Sequence, residues 1–374
     1  MIYLDHAATT PLRPEVAEAM APFFGESFGN SSGVHAVSRR AKNALEEARE
    51  RAAALIGARP QEVVFTSGGT EADNLALKGA TLVRALRRGV VTVATEHEAV
   101  LETVDFLARF GCPTTAVGVD RHGLVDPEAV AAAVDVDTAV VSVMAANNET
   151  GTIHPLSEVV AAVKDANLQT LVHTDAVQAF AALEVDVDAW GVDLLSLAAH
   201  KFGGPKGVGV LYVRSGVDLE PLVHGGGQEL GRRSGTHNVA GAVGMATAME
   251  TAAADRDRFR RDTAQARRHF EAKLSDRAER TVPEEFTLPQ HSHLRFEGIS
   301  NETLLVLLDR LGVAASAGSA CASGAATVSH VLEAMGLTPE EARRSLRFTF
   351  GWTSTTAEAE EAANLVLQAL EGRP

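Results

Sequence analysis

A regular alternation of short apolar runs with longer amphipathic segments constrains the fold of this chain more than any other feature. The alternation continues through about the first 238 residues. Strands that alternate with helices of this length are typical of βαβ units, in which helices cover both faces of a mainly parallel sheet. The sequence therefore predicts an α/β fold. Residues 62–67, 90–95, 114–119 and 138–145 are predicted strands, and residues 37–57 and 70–89 are predicted helices that end at Gly57 and Gly89.

The pattern changes after about residue 238. One long helix or two abutting helices follow, and their charge density rises after Asp255. The rest of the chain combines short strands, such as HSHLRF (291–296), with two or three helices. We interpret this part as a smaller α+β domain. The predicted organisation is a large domain of residues 14–256 and a small domain formed by residues 1–13 and 257–374.

Composition and charge narrow the class of protein. A formal net charge of −15 argues against nucleic acid as a main partner, because phosphate binding needs a basic surface. The two cysteines, Cys112 and Cys321, are too few for a disulfide scaffold and indicate a reducing, cytoplasmic location. The N-terminal residues lack the pattern of a signal peptide, and no apolar run approaches a membrane span, so we expect no membrane association.

Polar residues stand where several predicted strands end, and in an open parallel sheet these ends face one ligand-binding crevice. The motif Ser67-Gly68-Gly69-Thr70 lies between a strand and a helix. Its backbone N–H groups and the Thr70 hydroxyl suit a phosphate, because a helix N-terminus attracts anions. An ordinary helix N-cap explains this motif equally well when it is taken alone.

Three further residues suggest what the phosphate belongs to. Asp175 follows a strand and is either a partner for a cationic ring nitrogen or an N-cap. His97 is either a group that stacks on a planar ligand and transfers protons, or a loop residue. Lys201 closes an apolar run before a glycine-rich turn, which is typical of a lysine that is either buried or directed at a ligand. Together these are the groups that hold pyridoxal 5'-phosphate as a Schiff base, so we predict this cofactor.

Spaced motifs from one end of the chain to the other match those of a known family. They are YLDHAATTP (3–11), FGNSSGVH (28–35), FTSGGTEADNLALKG (65–79), TEHEAV (95–100), NNETG (147–151), HTDAVQ (173–178), AHKFGGPKGVGVLYV (199–213), GGGQELGRRSGTHN (225–238), SAGSACASG (316–324), SHVLEAMGL (329–337) and RFTFG (347–351). In this order they resemble the cysteine desulfurases of the iron–sulfur-cluster-assembly type, within the class V aminotransferase group. The resemblance implies the type I fold of pyridoxal-phosphate-dependent transferases, with a mainly parallel large domain and a smaller α+β domain.

The resemblance implies a role for each matching residue. Lys201 would carry the cofactor and remove the α-proton, Asp175 would pair with the pyridine nitrogen, and His97 would stack on the ring and relay protons. Asn148 and Arg347 would bind the carboxylate of L-cysteine, for which a guanidinium is a good match. Further cofactor contacts would come from Gly69, Thr70, Gln178 and His200, and from Thr236 of the neighbouring subunit in an obligate homodimer.

Cys321 is the remaining catalytic candidate. Small residues surround it in residues 314–330, whereas a structural cysteine normally lies among bulky apolar neighbours. The resemblance implies that its thiolate attacks the sulfur of L-cysteine, that L-alanine leaves, and that the persulfide sulfur passes to an acceptor protein such as an iron–sulfur scaffold. An inert loop cysteine is the alternative, and Cys112 is predicted to be inert.

Two positions depart from the family pattern. Ala198 stands where a phosphate-binding serine is common, and loss of one hydroxyl would weaken cofactor retention by about 1 kcal/mol. Trp352, in GWTSTT, stands where the family commonly has an arginine. The second departure leaves Arg347 as the expected ligand of the substrate carboxylate.

Other functions remain open at this point. A selenocysteine lyase, an aminotransferase or another C–S lyase would use the same cofactor, and a scaffold that keeps the fold without chemistry belongs to a different class. His291 and His293 share one strand face, but no further ligand lies nearby in sequence, so we predict no metal site. The sequence leaves the final sulfur acceptor open among iron–sulfur clusters, thiolated tRNA, DNA phosphorothioate and a specialised metabolite.

Overall fold

The computed structural model describes residues 1–83, 88–318 and 328–372. The described strands are β1 (Ile2–Tyr3), β2 (Val63–Thr66), β3 (Gly89–Val93), β4 (Thr114–Val117), β5 (Thr138–Ser142), β6 (Leu171–Asp175), β7 (Leu194–Ala198), β8 (Gly209–Val213), β9 (Ala278–Arg280), β10 (His291–Phe296), β11 (Val313–Ala314) and β12 (Ser345–Thr349). The described α-helices are α1 (Pro14–Met20), α2 (Ala36–Ala54), α3 (Gly69–Leu82), α4 (Glu98–Arg109), α5 (Pro127–Ala132), α6 (Leu156–Ala166), α7 (Val187–Trp190), α8 (Val239–Leu274), α9 (Asn301–Arg310), α10 (His330–Ala334), α11 (Pro339–Ala342) and α12 (Thr356–Glu371).

The central sheet has the strand order β2-β8-β7-β6-β5-β3-β4. Strand β8 runs antiparallel to both of its neighbours, β2 and β7, and the other neighbouring strands are parallel. Because β2 and β7 are both antiparallel to β8, they run in the same direction. The carboxyl ends of β2, β3, β5, β6 and β7 therefore lie along one edge. The predicted α/β class with a mainly parallel sheet is confirmed.

Alternate residues of the central strands face two separate apolar layers, as the two-residue period of a strand requires. Val63 and Phe65 of β2 pack in a layer with α2, α6 and the first part of α8. Val64, between them, packs in the opposite layer with α3 and α4. Burial of both sheet faces explains why these strands read as continuous apolar runs in the sequence.

A smaller sheet, with the order β12-β10-β9, forms the second part of the fold, and β1 pairs in parallel with β11. A single helix of 36 residues, α8, joins the two parts. Met245 in its first half packs into the core of the central sheet, and Phe270 in its second half packs against Phe348 in the smaller core. The predicted domain boundary between residues 256 and 257 falls within α8 and remains a prediction.

The sequence assignment of Gly89 was wrong, because this residue starts β3 and does not end the preceding helix. The preceding helix, α3, spans Gly69–Leu82. A Cβ atom on Gly89 would lie 3.1 Å from the Cα of Thr138 on the neighbouring strand. Close approach of the two backbones therefore favours glycine at this position, whereas the sequence analysis attributed this glycine to the end of a helix.

Two kinds of feature are absent from the part of the chain that the structure describes. None of its helices is both long and apolar enough to cross a membrane. None of its His, Cys, Asp and Glu side chains form a group of three that could hold a metal ion. The ring of His293 is hydrogen-bonded through Nδ1 to the Thr281 hydroxyl at 2.8 Å.

Candidate active site

A crevice of about 620 Å³, part of it open to solvent, lies at the edge where the strand ends meet. Its lining includes eight of the residues that the sequence singled out, contributed by five different strand ends. They are Gly69, Thr70, His97, Asn148, Asp175, Gln178, His200 and Lys201. The convergence of separate sequence motifs on one crevice follows from the shared direction of the five strands.

Lys201 lies in the short turn that follows β7, and the N-terminal segment of the chain holds its amino group. Nζ donates hydrogen bonds to the carbonyl oxygens of Ala7 at 2.6 Å and Ala8 at 3.0 Å. The amide of Gln178 donates to the same Ala7 carbonyl at 2.9 Å. Residues 7 and 8 are thus part of the site, and sequence analysis missed them because a backbone carbonyl leaves no side-chain signal.

Asp175 ends β6 at the floor of the crevice and is buried. Its Oδ1 accepts a hydrogen bond from the backbone N–H of Val177 at 2.8 Å. Burial raises the pKa of Asp175, while interactions with His97, the backbone N–H of Val177 and Lys201 act in the opposite direction. A cation placed in the crevice would stabilise the ionised carboxylate, which is the requirement for holding a protonated ring nitrogen.

Two more buried carboxyl groups, Asp73 and Glu96, lie close to Asp175, and sequence analysis missed Asp73. The ring of His173 links serines on either side, with Nδ1 2.9 Å from the Ser142 hydroxyl and Nε2 3.0 Å from the Ser196 hydroxyl. Oδ1 of Asp73 is 3.5 Å from the same Nε2. Burial lowers the pKa of His173 to about 3, so the ring is neutral at pH 7.

Because the ring of His173 is neutral, it gives Asp73 no positive charge to pair with. Burial raises the pKa of Asp73 well above its usual range, and the charge of Asp175 adds to this effect. Burial, with a smaller contribution from the charge of Asp175, also raises the pKa of Glu96 well above its usual range. Burial thus disfavours the ionised forms of Asp73 and Glu96, whereas His97 and Lys201 favour the ionised form of Asp175.

The two histidines of the crevice are held in defined hydrogen-bonding states. His97 caps α4, and its Nδ1 accepts from the backbone N–H of Ala99 at 3.1 Å, so the neutral ring carries its proton on Nε2. Burial lowers the pKa of His97. Burial, assisted by Lys201 and Lys206, lowers the pKa of His200 to about 4. Its Nδ1 is 3.2 Å from the Thr9 hydroxyl.

Helix α3 begins at the crevice with Gly69 and Thr70, so its free N–H groups face an anion site. A Cβ atom on Gly69 would lie 3.0 Å from Val177 and 3.6 Å from Ala198, which shows how closely this turn is packed. The negative charge of Glu71 in the first turn would repel an anion, but Arg233 forms a salt bridge with Glu71 at 2.8 Å. The cradle at the start of α3 and the carboxylate of Asp175 fit the two ends of pyridoxal 5'-phosphate.

Arg347, the expected ligand of the substrate carboxylate, is buried and does not line the crevice among the described residues. One of its guanidinium nitrogens donates to the backbone carbonyl of Asn148 at 2.8 Å, and another donates to Asp5 at 2.7 Å. The structure thus joins Arg347 to Asn148, which does line the crevice. Asp5 is a partner that sequence analysis missed.

A buried carboxylate anchors the segment that contains Thr236. Thr236 is exposed and is not among its described lining residues, so its assignment to a neighbouring subunit remains a prediction. The anchor is the buried carboxylate of Glu229, which accepts two hydrogen bonds from Arg49, at 2.6 and 3.0 Å, and one from the backbone of Phe65 at 2.9 Å. His237 is 3.3 Å from the same carboxylate.

Glu229→Gln is expected to lower the free energy of unfolding by about 3 kcal/mol at pH 7, because Arg49 would stay buried without a charged partner. Burial by itself would raise the pKa of Glu229, but hydrogen bonds from His237 and Arg49 outweigh it and lower the pKa to about 2. The charge therefore stabilises the fold above pH 4.5, and this stabilisation is lost as the pH falls towards 2.

Urea denaturation of the wild type and the variant at pH 7 and pH 3 checks this expectation. The stability difference should be smaller at pH 3. Glu46→Gln is the matched control, since Glu46 is a half-exposed partner of the same arginine at 3.3 Å, and its change should stay below about 0.5 kcal/mol. Equal effects of the two substitutions would contradict the role of Glu229.

The structure also locates three of the four remaining positions that the sequence singled out. Ala198 lies beside Gly69 in the crevice, where it provides no hydroxyl. Trp352 packs beneath the guanidinium of Arg13, with 4.9 Å between that group and the ring centroid, and its Nε1 donates to the Pro11 carbonyl at 3.3 Å. Cys112 is buried. Cys321 lies outside the described residues.

Comparisons with known proteins agree with one another. The family model described as aminotransferase class-V matches residues 2–361. A protein named cysteine desulfurase IscS, from Dictyoglomus turgidum, is 44% identical over 375 residues, which cover 99% of this chain and 93% of the relative. A solved structure described as a NifS-like protein has a TM-score of 0.94 at 38% identity, with 99% of both chains covered. A structure of SspA in complex with cysteine has a TM-score of 0.84 at 35% identity, covering 94% of this chain and 99% of the other.

Proposed function

The chain belongs to the aminotransferase class-V family, and on that premise we propose that it acts as a cysteine desulfurase with the residues of the crevice as its catalytic groups. The reaction converts L-cysteine to L-alanine and transfers the sulfur to an acceptor. One observation carries the residue-level proposal: Lys201, Asp175 and the N-terminus of α3 line the same crevice.

The family uses pyridoxal 5'-phosphate, and the residues present suit this group. Gly69, Thr70 and the neutral ring of His200 would hold the phosphate, although Ala198 offers no hydroxyl to it. Asp175 would keep the ring nitrogen protonated, and Gln178 would contact the ring hydroxyl. When bound, the cofactor withdraws electrons from the α-carbon of an amino acid attached to it.

The protein's own groups move protons and sulfur. Lys201 Nζ would take the α-proton of cysteine, and His97 would exchange a proton through Nε2. The Cys321 thiolate would attack the substrate sulfur, so that a sulfur–sulfur bond forms while the carbon–sulfur bond breaks. Overall, cysteine and an enzyme thiol give alanine and an enzyme persulfide. One proton is taken up at the β-carbon, where the carbon–sulfur bond was broken. A second proton is taken up at the α-carbon, where it replaces the α-proton that was removed.

Substrate and partners complete the proposal. Asn148 would orient the substrate carboxylate, with Arg347 joined to it through its carbonyl. A homodimer is proposed because the exposed Thr236 would then reach the phosphate of the neighbouring crevice. The persulfide sulfur would pass to an acceptor protein, with an iron–sulfur scaffold as the first candidate. A cytoplasmic location is proposed from the low number of cysteines.

The test is the product ratio from L-cysteine in the presence of a reductant. Equal amounts of alanine and sulfide are expected. Pyruvate and ammonia in place of alanine would show a lyase of another reaction type. Faster turnover of selenocysteine would favour a selenocysteine lyase, and no product together with no bound cofactor would favour a scaffold without chemistry.

Asp175→Asn is expected to weaken cofactor retention about 10- to 100-fold, since a hydrogen bond to a charged group contributes roughly 1.5–3 kcal/mol. Asp73→Asn is the matched control, because Asp73 is a buried carboxyl group of the same crevice to which no cofactor contact is assigned. Its retention should stay within about twofold of the wild type. Dialysis followed by the absorbance of the bound cofactor measures both. An equal loss in the two variants would contradict the assignment of the ring nitrogen to Asp175.

A further inference from the structure

The buried side chain of Glu149 contacts both segments that flank residues 319–327 in the sequence. On one flank, the Ser329 hydroxyl donates to Glu149 Oε2 at 2.6 Å. On the other flank, a Cβ atom on Gly318 would lie only 2.6 Å from the same oxygen, so the backbone of Gly318 packs directly on the carboxyl group. One side chain thus brings the two flanks together.

The flank formed by residues 316–318 is also fixed to the substrate side of the site. The backbone of Ser316 exchanges two hydrogen bonds with Arg347, at 2.7 and 3.1 Å. The Ser316 hydroxyl donates to the carbonyl of Gly318 at 3.0 Å. Gly318 has a φ of +107°, which favours glycine and permits the close approach to Glu149. Arg347 in turn donates to the carbonyl of Asn148, the residue before Glu149.

The length of the chain makes the contact at Gly318 important. Three peptide units separate Gly318 from Cys321, so their Cα atoms stay within about 11 Å of each other whatever the conformation. Eight units separate Cys321 from Ser329, which allows about 29 Å. The position of Gly318 therefore limits how far from this residue the Cys321 thiol can reach.

We propose that Glu149 is a positioning residue of the desulfurase reaction, which holds Gly318 and Ser329 beside Asn148 and Arg347 and so keeps Cys321 within reach of the substrate sulfur. The inference rests on the proposed function of Cys321. Burial raises the pKa of Glu149, and the Ser329 hydroxyl and Arg347 act against this shift. The contacts depend on the shape and the acceptor oxygen of the side chain, which a glutamine retains.

The experiment compares two steps in the holoenzyme variants Glu149→Ala, Glu149→Gln and Ser329→Ala. The absorbance change of the bound cofactor on mixing with L-cysteine reports substrate binding, and alanine formation reports the full reaction. In Glu149→Ala, alanine formation should fall about 10- to 100-fold while the absorbance change, cofactor content and KM stay close to the wild type. Glu149→Gln should recover most of the rate, and Ser329→Ala should lose several-fold. Glu158→Ala, on the exposed face of α6, is the control without effect.

Each outcome decides the inference. Wild-type alanine formation in both Glu149→Ala and Ser329→Ala overturns it. A parallel loss of both steps also overturns it, because that pattern indicates a general structural role. If Glu149→Ala does not fold, Ser329→Ala decides, since it removes only one hydroxyl. Full activity of Cys321→Ser would refute the proposed function itself, whereas an inactive Cys321→Ser with unaffected Glu149 and Ser329 variants refutes only this inference.

Discussion

Lys201→Ala is expected to abolish alanine formation from L-cysteine, with a loss of at least about 1,000-fold. The substitution removes both the amine that would carry the cofactor and the base that would take the α-proton. Treatment with borohydride should fix the cofactor covalently to the wild type but not to the variant. Lys206→Ala is the matched control, since Lys206 lies five residues later and is exposed.

The surroundings of Lys201 explain why another lysine is not expected to replace it. The carbonyls of Ala7 and Ala8 accept from Nζ and so place the amine in the crevice. The next residue, Phe202, is buried, so its packing anchors the turn. Covalent fixation of the cofactor to Lys201→Ala, or alanine formation at a comparable rate, would contradict the assignment.

The fold class could be predicted because the central strands are buried on both faces of the sheet and are therefore apolar in sequence. Residues 63–66 and 194–198 are apolar at nearly every position for this reason. The shared direction of these strands then brings distant motifs together, so the crevice could be predicted from strand ends alone. The division of the chain at residue 256 could not be predicted as firmly, because one helix, α8, packs into both cores.

The parts of the site that sequence analysis missed are those that depend on packing. Asp73 lies within a helix one turn after Thr70, where an acid normally indicates a solvated face, and only the tertiary structure buries it. The pairing of Asp5 with Arg347 joins residues 342 positions apart. The glycine at position 89 marks a close approach of two strands that no local pattern encodes.

Cys321→Ser should keep the cofactor and its absorbance change with L-cysteine, yet form neither alanine nor sulfide at more than about one-thousandth of the wild-type rate. A serine hydroxyl remains protonated at neutral pH and forms no persulfide, so the carbon–sulfur bond has no acceptor for its sulfur. Cys112→Ala is the matched control, because Cys112 is the other cysteine of the chain and is buried.

The variants Lys201→Ala and Cys321→Ser together distinguish the reaction types that share this fold. A desulfurase needs both residues, so both variants are inactive while only Cys321→Ser retains a covalently bound cofactor. A C–S lyase that eliminates sulfide from the β-carbon needs Lys201 but no thiol, so Cys321→Ser would stay active and pyruvate would appear. An aminotransferase would likewise tolerate Cys321→Ser and would transfer the amino group to a keto acid. Retention of activity in Cys321→Ser would thus refute the persulfide step while leaving the cofactor site intact.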